Sequence, residues 1–184
     1  MSVKYRHPPK STNNCGFTLI ELVVTVAIVG ILAGIAIPSF ISTITSNRLT
    51  AYANELLAAM NLARSEAVKR GVQVSVRSLN ANTQWEGGWD VFVDINGDGT
   101  FTDDATAPLC EAAEDCRLRT FAALPNGYTL RAAVNTFQTY SLTGLSSAET
   151  FILCNGSGAG MTRRTISINA TGRPSVAVTT GTCP

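Results

Sequence analysis

Residues Phe17 to Ile37 form a run of 21 residues, FTLIELVVTVAIVGILAGIAI, whose only charge is Glu21. A bilayer core about 30 Å thick needs roughly 20 apolar residues in a helix. The run has that length, and a water-soluble domain has no use for such a stretch at its start. It therefore predicts a membrane-spanning helix. Before it, Met1 to Gly16 carries Lys4, Arg6 and Lys10 and no acid. By the positive-inside rule this flank stays cytoplasmic, which places everything beyond Ile37 outside the cytoplasm. A conventional signal peptide would have an apolar region of about 7–15 residues ending at a small-x-small cleavage site. Here the polar-to-apolar junction, Cys15-Gly16-Phe17, precedes the run, so a cut there leaves the helix in the mature chain.

Glu21 is the anomaly of the run. A carboxylate inside a membrane helix costs on the order of 2–4 kcal/mol, so it asks for a partner or a function. It lies four residues after Phe17, one helical turn from the amine that a cut after Gly16 would create. The alternative is a carboxyl group merely lying at headgroup level.

Gly16-Phe17-Thr18-Leu19-Ile20-Glu21 resembles the GFTLIE processing motif of type IV prepilins and type II secretion pseudopilins. The resemblance implies cleavage between Gly16 and Phe17 by a prepilin peptidase and N-methylation of Phe17. It also implies that Glu21 neutralises a neighbouring subunit's N-terminal amine during assembly.

Beyond Ile37 the chain turns amphipathic. Ala53, Leu56, Leu57, Met60, Ala63, Ala67 and Val68 recur at spacings of three and four, which places them on one helical face. Glu66 and Arg70 form a favourable i,i+4 pair, and Gly71 is a natural C-cap. Pro38 lacks an amide and predicts a kink or local unwinding. Gly30 and Gly34 form a small-xxx-small pair that permits close helix contact. After Gly71 the period switches to two. Val72, Val74 and Val76 alternate with polar residues, as do Trp89, Val91 and Val93, then Ile166 and Ile168, then Val176 and Val178. Thr129–Ala132 and Thr150–Cys154 are two further strand candidates. Several strands behind one helix, without βαβ alternation, predict an α+β domain with antiparallel sheet packed on the helix.

Asn47-Arg48-Leu49, the stretch from Asn61 to Gly71, Gly88-Trp89-Asp90-Val91-Phe92-Val93-Asp94 and the late Thr171-Gly172-Arg173 resemble the GspH/FimT group of minor pilins and pseudopilins. That resemblance implies a pilin-like fold and four segments. These are a leader at 1–16, a transmembrane and assembly helix at 17–37, its amphipathic continuation at 38–71, and a periplasmic β-rich domain at 72–184. It implies an inner-membrane protein whose partners are the prepilin peptidase and other minor and major pilins. A minor pilin of a type IV pilus, acting in assembly initiation or at the tip, is the expected function. A type II secretion pseudopilin and a DNA-binding minor pilin of natural transformation are the alternatives.

Four cysteines remain beyond Gly16: Cys110, Cys116, Cys154 and Cys183. They allow three pairings, and an exported domain sits where disulfides persist. The sequence-local choice is Cys110–Cys116 with Cys154–Cys183. No CxxC spacing exists and the one histidine, His7, lies in the leader, so neither a zinc site nor any other metal or cofactor is expected. The same lack of histidine removes Ser/His/Asp and Cys/His catalytic sets and argues against an enzyme. Asp94-Ile95-Asn96-Gly97-Asp98-Gly99 copies the first half of a calcium loop. Its twelfth position is Ala105, which offers no carboxylate, although Asp103 and Asp104 could supply oxygens. A tight reversal is the other reading of the same residues.

Arg163, Arg164 and Arg173 are the candidate phosphate contacts on the late strands. In FimT-like proteins of natural transformation a GRxR element contacts DNA. Gly172-Arg173-Pro174-Ser175 keeps only its first arginine. Charge that protects an edge strand is the alternative role for these residues. All 13 acids lie beyond Gly16, whereas three of the 14 basic residues precede it, so long-range attraction to DNA is expected to be weak.

Overall fold

A computed structural model describes residues 16–103, 110, 114–156 and 158–183. The chain divides into two units, Met1–Thr43 and Ile44–Pro184, and helix α1 (Leu19–Arg70) begins in the first and ends in the second.

In the first unit α1 starts at a capping threonine. The Thr18 hydroxyl accepts the N–H of Glu21 at 3.3 Å, satisfying a donor that a helix start leaves open, and the Thr18 carbonyl accepts that of Leu22 at 3.2 Å in the first intrahelical bond. Described side chains from Leu19 to Phe40 are almost all exposed, because no other described element of this unit packs on them. The helical pattern passes Pro38 without a break, so the expected unwinding is absent. Proline removes one i to i−4 bond, and the residues on either side remain helical.

In the second unit α1 buries Leu49, Ala53, Leu56, Met60, Ala63 and Ala67, a stripe with alternating spacings of four and three. Two residues assigned to that face depart from it. Leu57 is half-buried and Val68 is 55% exposed, each one position off the stripe. Leu49 and Ala59 are buried instead. Gly71 ends the helix at φ +69°, its N–H donating to the Ala67 carbonyl at 2.9 Å. Arg70 Nε lies 2.6 Å from Glu66, and this hydrogen bond holds the Glu66 carboxyl below its usual range against the opposing effect of desolvation.

Among the described residues eight strands follow: β1 (Val74–Ser78), β2 (Trp89–Val93), β3 (Cys116–Phe121), β4 (Tyr128–Ala132), β5 (Phe137–Tyr140), β6 (Glu149–Asn155), β7 (Gly158–Ile168) and β8 (Pro174–Cys183). They form two antiparallel sheets, ordered β3-β2-β1-β5 and β4-β6-β7-β8. Alternation puts Val74, Val76, Trp89, Val91 and Tyr140 of the first sheet into the core. Leu130, Phe151, Leu153, Ile166 and Ile168 of the second join them. Trp89 stacks on Phe121 at 5.5 Å, and Trp85 meets Phe151 edge-on at 4.9 Å. The small residues Ala53, Ala59, Ala63 and Ala67 leave room for these aromatic rings within one continuous core.

Cys110 is bonded to Cys116 and Cys154 to Cys183, with Cα atoms 4.5 and 5.9 Å apart. The second bond joins the end of β8 to β6. Gly172 has φ +72°, and a Cβ there would lie 2.1 Å from the Gly144 carbonyl oxygen. The turn before β8 therefore requires glycine both for its backbone and for the approach of the 141–147 loop.

Candidate functional site

The N-terminal junction, the 94–103 loop and the late arginines each occupy a separate place. Gly16, Phe17 and Thr18 precede the helix, and Phe17 is 82% exposed. The Gly16–Phe17 peptide bond thus lies in non-helical, accessible backbone, as a peptidase requires. Glu21 sits in the first turn of α1, where the helix dipole favours a negative charge by about 0.3–1 kcal/mol. It enters no ion pair among the described residues. Thr18-x-x-Glu21 has the spacing of a capping box, a signal present in the sequence beside the processing motif.

In the 94–103 loop the carboxylates point at N–H groups. Asp94 is fully buried. Its Oδ1 accepts the Gly97 N–H at 2.7 Å, while its Oδ2 accepts the Gly99 N–H at 3.0 Å and the Ser75 hydroxyl at 2.6 Å. Asp115, also buried, accepts the N–H groups of Ile95 at 3.0 Å and Thr102 at 2.8 Å. Asp98 accepts from Thr100 N–H at 2.6 Å and from the Asn96 amide at 2.9 Å. Three of the roughly four lone-pair sites of Asp94 and two each on Asp98 and Asp115 are thus taken by donors that tie the loop to itself, the pattern of a tight reversal. Asp104 and Ala105 lie outside the described residues. Among the described residues no group of three or more His, Cys, Asp or Glu could hold a metal ion.

The late arginines do not form one surface. Arg163 and Arg164 are consecutive on β7, so they point to opposite faces. Arg164 is 4% exposed and turns toward α1. There Nη2 donates to the Ser46 carbonyl at 3.1 Å and the Ser46 hydroxyl at 2.8 Å, and Nε to the Thr50 hydroxyl at 3.3 Å. Arg163 is half-buried and donates to the Thr179 hydroxyl at 3.3 Å and the Thr182 carbonyl at 2.6 Å. Arg173 is exposed in the turn before β8. Arg163 pairs with Thr179, six residues further along the strand, so Arg173 is about 20 Å from it. Nor do Arg163 and Arg164 guard a sheet edge, because β7 is an interior strand.

A basic cluster absent from the sequence reading lies on the outer face of the first sheet. Arg77 Nη2 is 3.6 Å and Arg117 Nε 3.4 Å from the buried Asp90, which also accepts the Thr120 hydroxyl at 2.7 Å. The Arg117 guanidinium lies 4.4 Å from the centre of the Phe101 ring, and Arg77 5.5 Å from that of Phe92. Two guanidinium groups share one carboxylate, which leaves this cluster one positive charge in excess. The Arg-x-Arg pattern of β3 was the available signal, obscured because that segment showed no apolar alternation.

The model of a family described as type II transport protein GspH matches residues 52–172. A prokaryotic N-terminal methylation motif matches residues 11–37. Two Pseudomonas aeruginosa proteins named fimbrial protein are 34% identical over 84 residues, covering 46% of this chain and 54% of theirs. The chain thus spans about half the length of the curated relatives it matches. Two crystal forms of the type IV minor pilin FimU of Pseudomonas aeruginosa share the fold. One aligns with a TM-score of 0.55 at 23% identity, over 72% of this chain and 90% of FimU. The other gives 0.52 at 22%, over 70% and 91%.

Proposed function

The chain belongs to the family of type II transport protein GspH, and on that premise we propose that it is a minor pilin, a structural subunit that helps to initiate a type IV pilus or to form its tip. Residues 1–16 are a leader removed by a prepilin peptidase, and Phe17 becomes the methylated N-terminus. Residues 17–37 anchor the subunit in the inner membrane and later pack among the helices of other pilins. Residues 38–71 continue that helix, and 72–184 form the domain outside the cytoplasm. The observation that carries this reading is the helix from Leu19 onward. Its apolar side chains are exposed along the first unit, with the carboxylate of Glu21 in the first turn and no ion pair to it among the described residues. Such a helix needs lipid first and other helices afterwards, and Glu21 then meets an amine rather than hydrocarbon.

The description of the matching family favours a second reading, a pseudopilin of type II secretion. Three measurements test them. Mass spectrometry of membrane-extracted protein should find a chain beginning at methylated Phe17, and Glu21→Ala should be inserted and processed yet fail to enter pili. A mature terminus beyond Ile37, or normal incorporation of Glu21→Ala, overturns the assembly role. Intact piliation with loss of protein secretion in a deletion strain assigns the chain to secretion.

A further inference from the structure

Four strands end the two sheets, and three of these edges are closed. At β3 the register shifts between Val91 and Phe92 of its neighbour, and Arg117 and Arg119 are exposed along it. At β4, Gln84 bridges to Arg131 and the Ala132 N–H donates to the Thr83 carbonyl at 3.0 Å. At β5, Ser146 bridges to Tyr140. Charge, irregularity and covering loops are the usual protections of an open edge. Strand β8 has, among the described residues, no charge and no covering loop, and its one irregularity, a register shift between Gly158 and Met161 of β7, lies at its far end and leaves Pro174–Thr180 regular. It is 10 residues long, pairs only with β7, and Pro174–Cys183 contains no charged residue. Among the described residues it makes no backbone hydrogen bond outside that pairing, and Val178 is 66% exposed.

The direction of the free groups follows from the ladder. The Asn169 N–H donates to the Arg173 carbonyl at 3.3 Å, so that pair is hydrogen-bonded and the neighbouring pair, Ile168 with Pro174, is not. Antiparallel pairs alternate, so Pro174, Val176, Val178 and Thr180 turn their backbone groups to the open side. Proline at the first of these positions sacrifices no ladder bond. Past Gly181 the edge is less open, because the Thr182 carbonyl already accepts the Arg163 guanidinium.

We propose that two copies of this chain pair β8 to β8, antiparallel, about a two-fold axis through Val178. Val178 then faces the partner's Val178, and Val176 faces the partner's Thr180. Val176, Val178 and Thr180 each offer an N–H and a C=O in this register, so the central ladder closes without a bulge, while Pro174 at its end offers only a C=O. No charge opposes another, and the facing residues are β-branched, the kind that pair best across strands. The pairing covers Val178, the exposed apolar side chain of this strand. A contact one strand wide is smaller than a standard interface, so dissociation is expected on the order of 10⁻⁵–10⁻⁴ M.

The test is sedimentation of the full chain in detergent micelles over a concentration series, with amide exchange followed at Val176, Val178 and Thr180. A concentration-dependent dimer with matching protection of these amides is expected. Val178→Pro deletes the outward N–H of each copy, and Val178→Lys sets two like charges opposite each other. Each should raise the dissociation constant at least about tenfold. Val178→Lys should keep the thermal midpoint, and it decides alone if the proline variant does not fold. A monomer at every concentration overturns the proposal. So does a dimer that survives both substitutions, which would assign association to the Gly30 and Gly34 face of the membrane helix. Protection of β8 that appears only with a foreign protein added to a monomeric chain also overturns it, because the edge then serves a different partner.

Discussion

Replacing Tyr140 with phenylalanine should leave the domain at least as stable at neutral pH and remove a weakness at alkaline pH. Tyr140 is fully buried at the end of β5, opposite Val74, and its hydroxyl finds no hydrogen-bond partner among the described residues. An unsatisfied buried hydroxyl costs about 1–3 kcal/mol, and phenylalanine removes that cost while leaving a gap of one oxygen. Offsetting the two gives a net gain of up to about 1 kcal/mol at pH 7. Burial also pushes the Tyr140 phenol above its ordinary range, opposed in part by the nearby Arg64 charge. The folded state therefore holds the phenolic proton at pH values where the unfolded chain has lost it. The resulting stability is fully present below the unfolded value near 10 and is lost as pH rises toward the folded one. Within that window the loss is about 1.4 kcal/mol per pH unit. Urea unfolding of Ile44–Pro184, followed by the fluorescence of the buried Trp85 and Trp89, reads both effects. At pH 7 the variant should match or exceed the parent, and above pH 10 the two curves should diverge in its favour. A variant weaker by more than about 1 kcal/mol at pH 7, or parallel alkaline losses in both proteins, would refute the account of an orphaned hydroxyl.

Gly172→Ala places a side chain at φ +72° and 2.1 Å from the Gly144 carbonyl oxygen, so it should cost at least about 2 kcal/mol and lower the melting temperature; an unchanged melting temperature would mean that the turn has another conformation. Asp94→Asn replaces an acceptor of three hydrogen bonds and should cost about 1–3 kcal/mol in urea unfolding. Calcium added to the parent protein should leave its melting temperature unchanged, since a ligand stabilises only where the folded state binds it. Arg164→Ala should cost about 2–3 kcal/mol through its lost charged hydrogen bonds to Ser46 and Thr50. Binding of duplex DNA by the domain should stay no tighter than about 10⁻⁴ M at physiological salt in a mobility-shift titration, and micromolar, salt-sensitive binding abolished by Arg173→Ala would revive the uptake function.

The helix and the strands with apolar alternation were legible because each buries one face. Leu56, Met60, Ala63 and Ala67 repeat at helical spacing, and Trp89, Val91 and Val93 alternate, so periodicity alone locates their buried sides. Two strands carried no such signal. In β3 the exposed Arg117 and Arg119 flank a half-buried Leu118, and β5 is only four residues long, with Gln138 rather than an apolar residue facing inward. Gln138 is tolerated there because its amide donates to the Ser147 carbonyl at 2.7 Å, a partner nine residues away that no local pattern announces. Val68 is exposed because it lies one position off the buried stripe that ends at Ala67, a distinction that spacings of three and four do not make.

The two candidate sites differ in legibility for a reason of range. The processing junction is local. Gly16, Phe17 and Glu21 lie within six residues, and the chemistry they imply depends on their spacing and on the apolar run that follows. For the late arginines, proximity in sequence does not give proximity in space. Adjacent residues on a strand face opposite ways, so Arg163 and Arg164 were bound to separate once both fell within β7. Arg164 then found hydrogen-bond partners on α1 more than a hundred positions earlier, and a side chain held by Ser46 and Thr50 cannot also neutralise a phosphate. The positive charge that does collect, at Arg77 and Arg117 around Asp90, comes from strands brought together only by sheet pairing. A function that depends on a charged surface has to be argued from the folded domain, whereas one that depends on the leader and the first helical turn can be argued from the chain.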